Sequence, residues 1–139
     1  MTSEISEIRT FKEDKEIGKG AEIVLKDRIS KYFNDDLIHV KNEFSKFDFR
    51  GKKYKYELKH RLLLSTAHDE TMIPTSKAGP NTYFLFHFAF DDRLFYIKYD
   101  KEAFKNIRIA KFGRAPRPDH IDIRKDHFYI KMDRLTEII

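Results

Sequence analysis

Residues 47–59 read Phe-Asp-Phe-Arg-Gly-Lys-Lys-Tyr-Lys-Tyr-Glu-Leu-Lys, and they give the clearest secondary-structure signal in the chain. Apolar and charged residues alternate on both sides of Gly51, which predicts two antiparallel strands joined by a tight turn. Side chains of such a pair share faces by parity, so the apolar members lie together: Phe47, Phe49, Tyr54, Tyr56 and Leu58. Asp48, Glu57 and Lys59 are expected on the opposite face, whether the turn has two residues or four.

The charged face of this hairpin has the composition of a metal site. With Gly51-Lys52 as the turn, Asp48 and Glu57 are diagonal neighbours, roughly 7–8 Å apart or less. Two carboxylates at that separation can bind one Mg²⁺, which prefers oxygen ligands and keeps several waters. Lys59 can then orient a water molecule and offset the charge of a phosphate. The alternative is a core hairpin whose charged face is only solvated.

The rest of the chain predicts one helix followed mainly by strands. Apolar residues three and four apart indicate a helix from about Glu16 to Phe33, ended by Asn34. Residues 68–81, rich in Thr, Ser, Pro and Gly, predict a loop. Alternation predicts the other elements: a strand at 37–40, hairpins at 82–90 with 94–99 and at 120–123 with 127–132, a short helix at 101–107, and strands at 107–112 and 135–139. The fold class is therefore mixed α/β, of the α+β kind, with the N-terminal helix first.

Composition limits the domain organisation and the partners. The 139 residues support one domain, 15–139, with 1–14 as a flexible polar lead-in. A net charge of +5, from 28 Lys and Arg against 23 Asp and Glu, permits an anionic partner. The absence of Cys excludes disulfides and thiolate zinc sites and is typical of a reducing compartment. No apolar run approaches the ~20 residues that cross a bilayer, so we expect no membrane and an intracellular, cytoplasmic location.

The hairpin also resembles a known family. Phe47-Asp48, followed after eight residues by Glu57-Leu58-Lys59, is similar to the PD-(D/E)XK motif of restriction-endonuclease-like nucleases, with Phe47 in place of the Pro. The segment from Gly18 to Glu22 resembles the Gly-x-x-x-Glu opening of archaeal Holliday-junction resolvases. The resemblance covers about residues 16–135 and implies a restriction-endonuclease-like core, a mixed central sheet with flanking helices.

A second similarity concerns the residues after Lys59. Some nuclease-like proteins of large DNA viruses have a comparable order of short motifs, represented here by Glu57-Leu58-Lys59-His60-Arg61, Thr71-Met72-Ile73, Lys77 and Tyr83–Phe86. One element of the nuclease pattern is missing, because Pro74 and Pro80 interrupt the segment in which the usual amphipathic helix would follow the Glu-x-Lys strand.

The resemblance implies a site and a reaction. The catalytic residues would be Glu22, Asp48, Glu57 and Lys59, with Mg²⁺, or Mn²⁺ as a substitute, on Asp48, Glu57 and Glu22. The expected activity is that of a metal-dependent endonuclease that hydrolyses DNA phosphodiester bonds. Cleavage specific for junctions or flaps is an option, and a junction resolvase would need a homodimer to cut two strands.

Four basic residues are the predicted nucleic-acid contacts, since they follow the catalytic strand or lie in a basic, Pro-rich loop: Arg61, Lys77, Arg114 and Arg117. A solvated connector is the alternative for that loop. For the whole chain, one alternative is a catalytically inactive nuclease-fold protein that binds nucleic acid or belongs to a virion, with the virion or a viral factory as its location. The other is an unrelated α+β interaction domain with an accidental Glu-x-Lys.

Overall fold

The computed structural model describes residues 9–40 and 47–139. Helix α1 spans Phe11–Phe33 and packs on one face of the main sheet. Thr10 and Glu13 form a capping box at its start, and Asn34 ends it in the left-handed conformation, with φ 50°. The helix therefore begins before the predicted Glu16, and residues 11–14 are helical rather than part of a flexible lead-in. Residues 1–8 of that lead-in lie outside the described residues.

Two sheets follow the helix in the described part of the chain. Their strands are β1 (Ile38–His39), β2 (Phe49–Arg50), β3 (Lys55–Arg61), β4 (Glu70–Pro74), β5 (Thr82–Phe88), β6 (Arg93–Lys98), β7 (Arg108–Phe112), β8 (Lys125–Lys131) and β9 (Thr136–Ile138). The main sheet has the order β1-β2-β3-β5-β6-β9 and is antiparallel except for the parallel pair β3 and β5. The second sheet, β4-β8-β7, is antiparallel throughout. The predicted mixed α/β class is confirmed.

Two apolar clusters join these elements into three layers. The first lies between α1 and the main sheet and contains Ile29 and Tyr56. The second lies between the two sheets and contains Phe86 and Phe128, together with Phe104 from the one-turn helix α2 (Lys101–Phe104). Each such buried side chain contributes roughly 1.5–3 kcal/mol of transfer free energy. The second face of the main sheet is therefore covered by another sheet and one helical turn, where the resemblance implied a full flanking helix.

Two of the secondary-structure predictions are wrong. Residues 70–74 were predicted as part of a loop but form β4. Residues 120–123 were predicted as a strand, but this segment has only an isolated bridge between Arg117 and His120. Strand β8 pairs instead with β4 and β7. These partners are distant in sequence, so no turn residue marks the pairing. The hairpin of β5 with β6, the short helix and the strand at 108–112 agree with the predictions.

The two glycines of α1 generate a stability prediction. A Cβ added at Gly18 or at Gly20 would meet no atom within 4 Å. Because Gly in a helix interior costs roughly 0.5–1 kcal/mol relative to Ala, Gly18→Ala and Gly20→Ala are each expected to raise the free energy of unfolding by that amount. Urea unfolding of both variants checks this. A lower midpoint for either would mean that its added methyl group has no room.

Candidate active site

The hairpin keeps the predicted faces through its strands. Phe49 pairs with Tyr56 and the loop has four residues, so parity is retained. Phe49, Tyr56 and Leu58 are buried against α1. Phe47, which precedes the strand, departs from the pattern, since it is only half-buried and the Nζ atom of Lys55, from the charged face, lies 5.5 Å from its ring centroid.

Asp35, just after α1, holds the loop of this hairpin. Its Oδ1 accepts a hydrogen bond from the Lys52 backbone N–H at 3.0 Å, and its Oδ2 accepts one from the Tyr56 hydroxyl at 2.8 Å. A Cβ at Gly51 would lie 1.8 Å from Asp35 Oδ2, so only Gly lets the carboxylate approach. The loop and the helix end are therefore fixed to each other, and this positions both strands of the hairpin relative to α1.

Asp48 lies at the start of this hairpin and joins it to α1. Its Oδ2 accepts a hydrogen bond from the Leu58 backbone N–H at 2.7 Å, and the carboxyl group of Glu22 lies close to it. Burial, and then the charge of Glu22, raise the pKa of Asp48 to about 6. Both causes act in the same direction, because each disfavours the ionised form of Asp48. The structure thus brings the helix Glu to the hairpin Asp.

His39 is a site residue that sequence analysis missed. Its Nε2 lies 2.6 Å from Glu22 Oε1, and both side chains are mostly buried. The pairing of His39 with Phe49 places it next to Asp48, and the sequence between these strands gives no turn signal for that register. Its side chain fixes the orientation of the Glu22 carboxylate.

Glu57 lies on the second-sheet side, because it pairs with Phe84 of β5, a member of the cluster between the two sheets. Only 2 % of its surface is exposed. Its Oε2 lies 3.2 Å from Lys59 Nζ and 3.5 Å from Lys77 Nζ, whereas its Oε1 has no partner. Burial raises the pKa of Glu57, and the two lysines counteract part of that shift. Lys77 comes from a 3-10 turn at Thr75–Lys77, directly after β4.

These carboxylates have the chemistry of magnesium ligands, although they are not arranged as a finished metal site. Among residues 9–40 and 47–139, no three Asp, Glu or His side chains form a ready-made metal cluster. The reason is visible in the contacts, since Glu57 faces two ammonium groups while Asp48 lies beside Glu22. The unpartnered, buried Oε1 of Glu57 nevertheless leaves one oxygen ligand open. A divalent cation would compete with the two lysines for Glu57.

The site opens into a groove of about 1550 Å³ between α1, β1 and β3. Five acidic residues line it, among them Glu22, Asp48 and Glu57. Nine basic residues also line it: Arg9, Lys15, Lys19, Lys26, Lys59, Arg61, Lys77, Arg114 and Lys125. The lining of this groove, with acids at one point and a basic surround, therefore carries a net positive charge, which favours an anionic ligand.

The predicted nucleic-acid contacts divide into two kinds. Arg61, Lys77 and Arg114 line the groove, as a contact with a bound strand requires. Arg117 does not line it: its side chain is only 8 % exposed, forms ion pairs with Asp14 and Asp122, and lies over the ring of Phe11. We therefore correct the prediction for Arg117, whose guanidinium ties the 113–124 loop to the start of α1 rather than facing solvent.

Comparison with known proteins adds no family to this description: no protein-family model, no curated protein and no solved structure matches the chain. Within residues 9–40 and 47–139, none of the helices has the length and apolar character needed to cross a membrane. The site is therefore interpreted from its own geometry.

The raised pKa of Asp48 predicts a pH dependence of its contribution to stability. The pKa of Asp48 in the folded protein is about 6, above the ordinary value of 3.8, so ionisation opposes folding. The contribution of Asp48 to the free energy of unfolding should fall as pH rises from about 4 to 6, by on the order of 2–3 kcal/mol, and stay level above that. Asp48→Asn should remove this loss and be more stable than wild type at pH 7.

The measurement is urea unfolding in EDTA at pH 4 and at pH 7. Asp69→Asn is the matched control, since Asp69 is exposed and should leave the wild-type profile unchanged. The difference in stability between wild type and Asp48→Asn isolates Asp48 from the other carboxyl groups, and an equal difference at pH 4 and pH 7 would contradict the raised pKa of Asp48.

The loop tie predicts a structural role for Arg117. Arg117→Ala leaves Asp14 and Asp122 without their buried partner and should lower the free energy of unfolding by about 1–3 kcal/mol. Arg114→Ala, at a half-exposed side chain of the same loop, should change it by less than about 0.5 kcal/mol. Thermal unfolding of both variants distinguishes them. If both variants changed the free energy of unfolding equally, Arg117 would have no structural role beyond that of a solvent-facing loop residue.

Proposed function

We propose that this protein is a Mg²⁺-dependent endonuclease that hydrolyses DNA phosphodiester bonds, with a restriction-endonuclease-like arrangement of its site. The observation that supports this most directly is the convergence of three acids and a lysine in one basic groove. Glu22 comes from α1, Asp48 from the start of the hairpin, and Glu57 and Lys59 from β3. The resemblance to restriction-endonuclease-like nucleases implies the same four residues as the catalytic set.

Mg²⁺ would be held by Asp48, Glu57 and Glu22, with Mn²⁺ as a substitute. When bound, the ion would lower the pKa of a water molecule and offset the negative charge that develops on the phosphate. The protein would hold these ligands with its own contacts. The Leu58 N–H keeps Asp48 in place, and His39 keeps Glu22 in place.

Lys59 would orient the attacking water beside Glu57. Its ammonium group lies 3.2 Å from Glu57 Oε2, which keeps it next to the proposed ligand. The same charge would stabilise the phosphate as it gains a fifth oxygen. Lys77 approaches the same carboxylate oxygen at 3.5 Å and would take over the pairing with Glu57 whenever Lys59 turns to the substrate. Cleavage of junctions or flaps, with a homodimer for two cuts, belongs to this proposal as its structure-specific form.

A second candidate function follows from the two lysine contacts of Glu57. Because two lysines already neutralise Glu57, the groove could bind DNA without a metal, as an inactive nuclease-fold protein would. The two functions differ in turnover and not in binding, so a cleavage assay separates them.

The decisive experiment is nicking of supercoiled plasmid. With Mg²⁺ or Mn²⁺ the wild type should convert plasmid to nicked and linear forms, and EDTA should abolish this. Asp48→Ala and Lys59→Ala should each lower the rate at least about 100-fold, because they remove a ligand and the group that orients water. Lys53→Ala, at an exposed lysine outside the groove, is the matched control and should cleave like wild type.

Fold and binding must be verified in the same variants. Both inactive variants should retain a cooperative unfolding transition and plasmid binding in a gel-shift assay. DNA binding by wild type without cleavage of plasmid, junction or flap substrates in either metal would support the inactive alternative instead.

A further inference from the structure

Arg61 is a partly buried cation that has no carboxylate partner among the described residues. It follows Lys59 by two residues on β3 and therefore faces the second sheet as well. Its Nη2 donates a hydrogen bond to the Met72 carbonyl of β4 at 2.6 Å, which fixes the plane of the guanidinium. Across residues 9–40 and 47–139, this is the hydrogen bond that the Arg61 side chain makes, and no Asp or Glu forms an ion pair with it.

The surroundings of Arg61 oppose its positive charge. Burial, and then the charge of Arg114, lower the pKa of Arg61 to about 10. Both arginines line a cavity of about 660 Å³ beneath the 113–124 loop, together with Lys125 and Lys15. Because like charges repel and a partly buried charge is costly without a counter-ion, an anion between the two guanidinium groups would be stabilised.

The acids of this cavity do not supply that anion to Arg61, because each is paired elsewhere. Asp14 and Asp122 pair with the buried Arg117, and Glu70 pairs with Arg108 at 2.8 Å. Arg114 has only a long contact of 3.6 Å with Asp14. The free positive charge therefore remains at Arg61 and at the open side of Arg114.

The cavity also adjoins the proposed active site. Lys59, Arg61 and Arg114 line both this cavity and the groove that contains the carboxylates. An anion bound between the arginines would thus lie next to the lysine proposed to orient the attacking water. The planar fork of Arg matches the oxygens of a phosphate better than the point charge of Lys does.

We propose that Arg61 and Arg114, with Lys125 at the rim, form a phosphate-binding site that holds a second phosphate group of the substrate beside the one being cleaved. The anion site itself rests only on the charges and the cavity. Its use by DNA rests on the proposed function. The phosphate is either a diester within the strand or a monoester at a strand end, and both present the same oxygens to the arginines.

The first test uses inorganic phosphate in EDTA, where no cleavage takes place. Phosphate should raise the wild-type Tm above the value at equal ionic strength in chloride. Arg61→Gln should reduce the affinity for phosphate at least tenfold, and its own Tm without phosphate should be no lower than that of wild type, since the variant removes a charge that partial burial and Arg114 disfavour. Arg50→Gln is the matched control, because Arg50 is exposed and lines neither cavity.

Arg114→Gln, at a half-exposed position, provides a second variant if Arg61→Gln does not fold. It should also weaken the phosphate effect. No phosphate-induced shift in wild type, or an equal shift in wild type and both variants, would overturn the proposal and leave Arg61 as a structural tie to Met72.

The second test identifies the source of the phosphate by fluorescence anisotropy with short DNA strands in EDTA. If the site holds a diester, Arg61→Gln should weaken all strands about equally and flatten the salt dependence by about one unit. If it holds a terminal monoester, the loss should be confined to strands that carry a 5′ or 3′ phosphate. Unchanged affinity for every strand would separate the anion site from DNA. Because neither test contains metal, failure of cleavage in the plasmid assay stays a distinct result.

Discussion

The parallel pairing of β3 with β5 is the constraint on which the site depends. Parallel neighbours cannot be joined by a short turn, so residues 62–81 must cross from one end of the main sheet to the other. The crossover contains β4 and the 3-10 turn of Lys77. It therefore covers the Glu57 face of the sheet, buries that carboxylate, and supplies both the second lysine at Glu57 and the Met72 carbonyl that holds Arg61.

Burial by the crossover also explains the charge arrangement. An isolated carboxylate in this position would be neutralised by protonation, and here protein cations share that task for Glu57. At Asp48, burial and the neighbouring Glu22 raise the pKa instead. Negative charge is therefore costly at both carboxylates, and a cation placed beside them would lower that cost.

Local sequence patterns account for part of the site. Alternation predicted that Phe49, Tyr56 and Leu58 are buried together, and helical spacing predicted that Leu25 and Ile29 pack against the sheet, because each pattern expresses the geometry of a single element. The Thr10 and Glu13 capping box was equally local and could have corrected the predicted start of the helix. The assignment of Glu22 required a family resemblance, because no periodicity relates a helix residue to a strand residue.

Neighbouring residues were sufficient to predict α1, the hairpins β2–β3 and β5–β6 and the buried faces of their strands, since these follow from local geometry. Which distant residues meet depended on the packing of the whole chain. The pairing of β4 with β8, the approach of His39 to Glu22 and of Lys77 to Glu57, and the burial of Arg117 between Asp14 and Asp122 each join segments that no turn connects. These contacts depend on the packing of three layers, and packing is a property of the whole chain that no short stretch of residues contains.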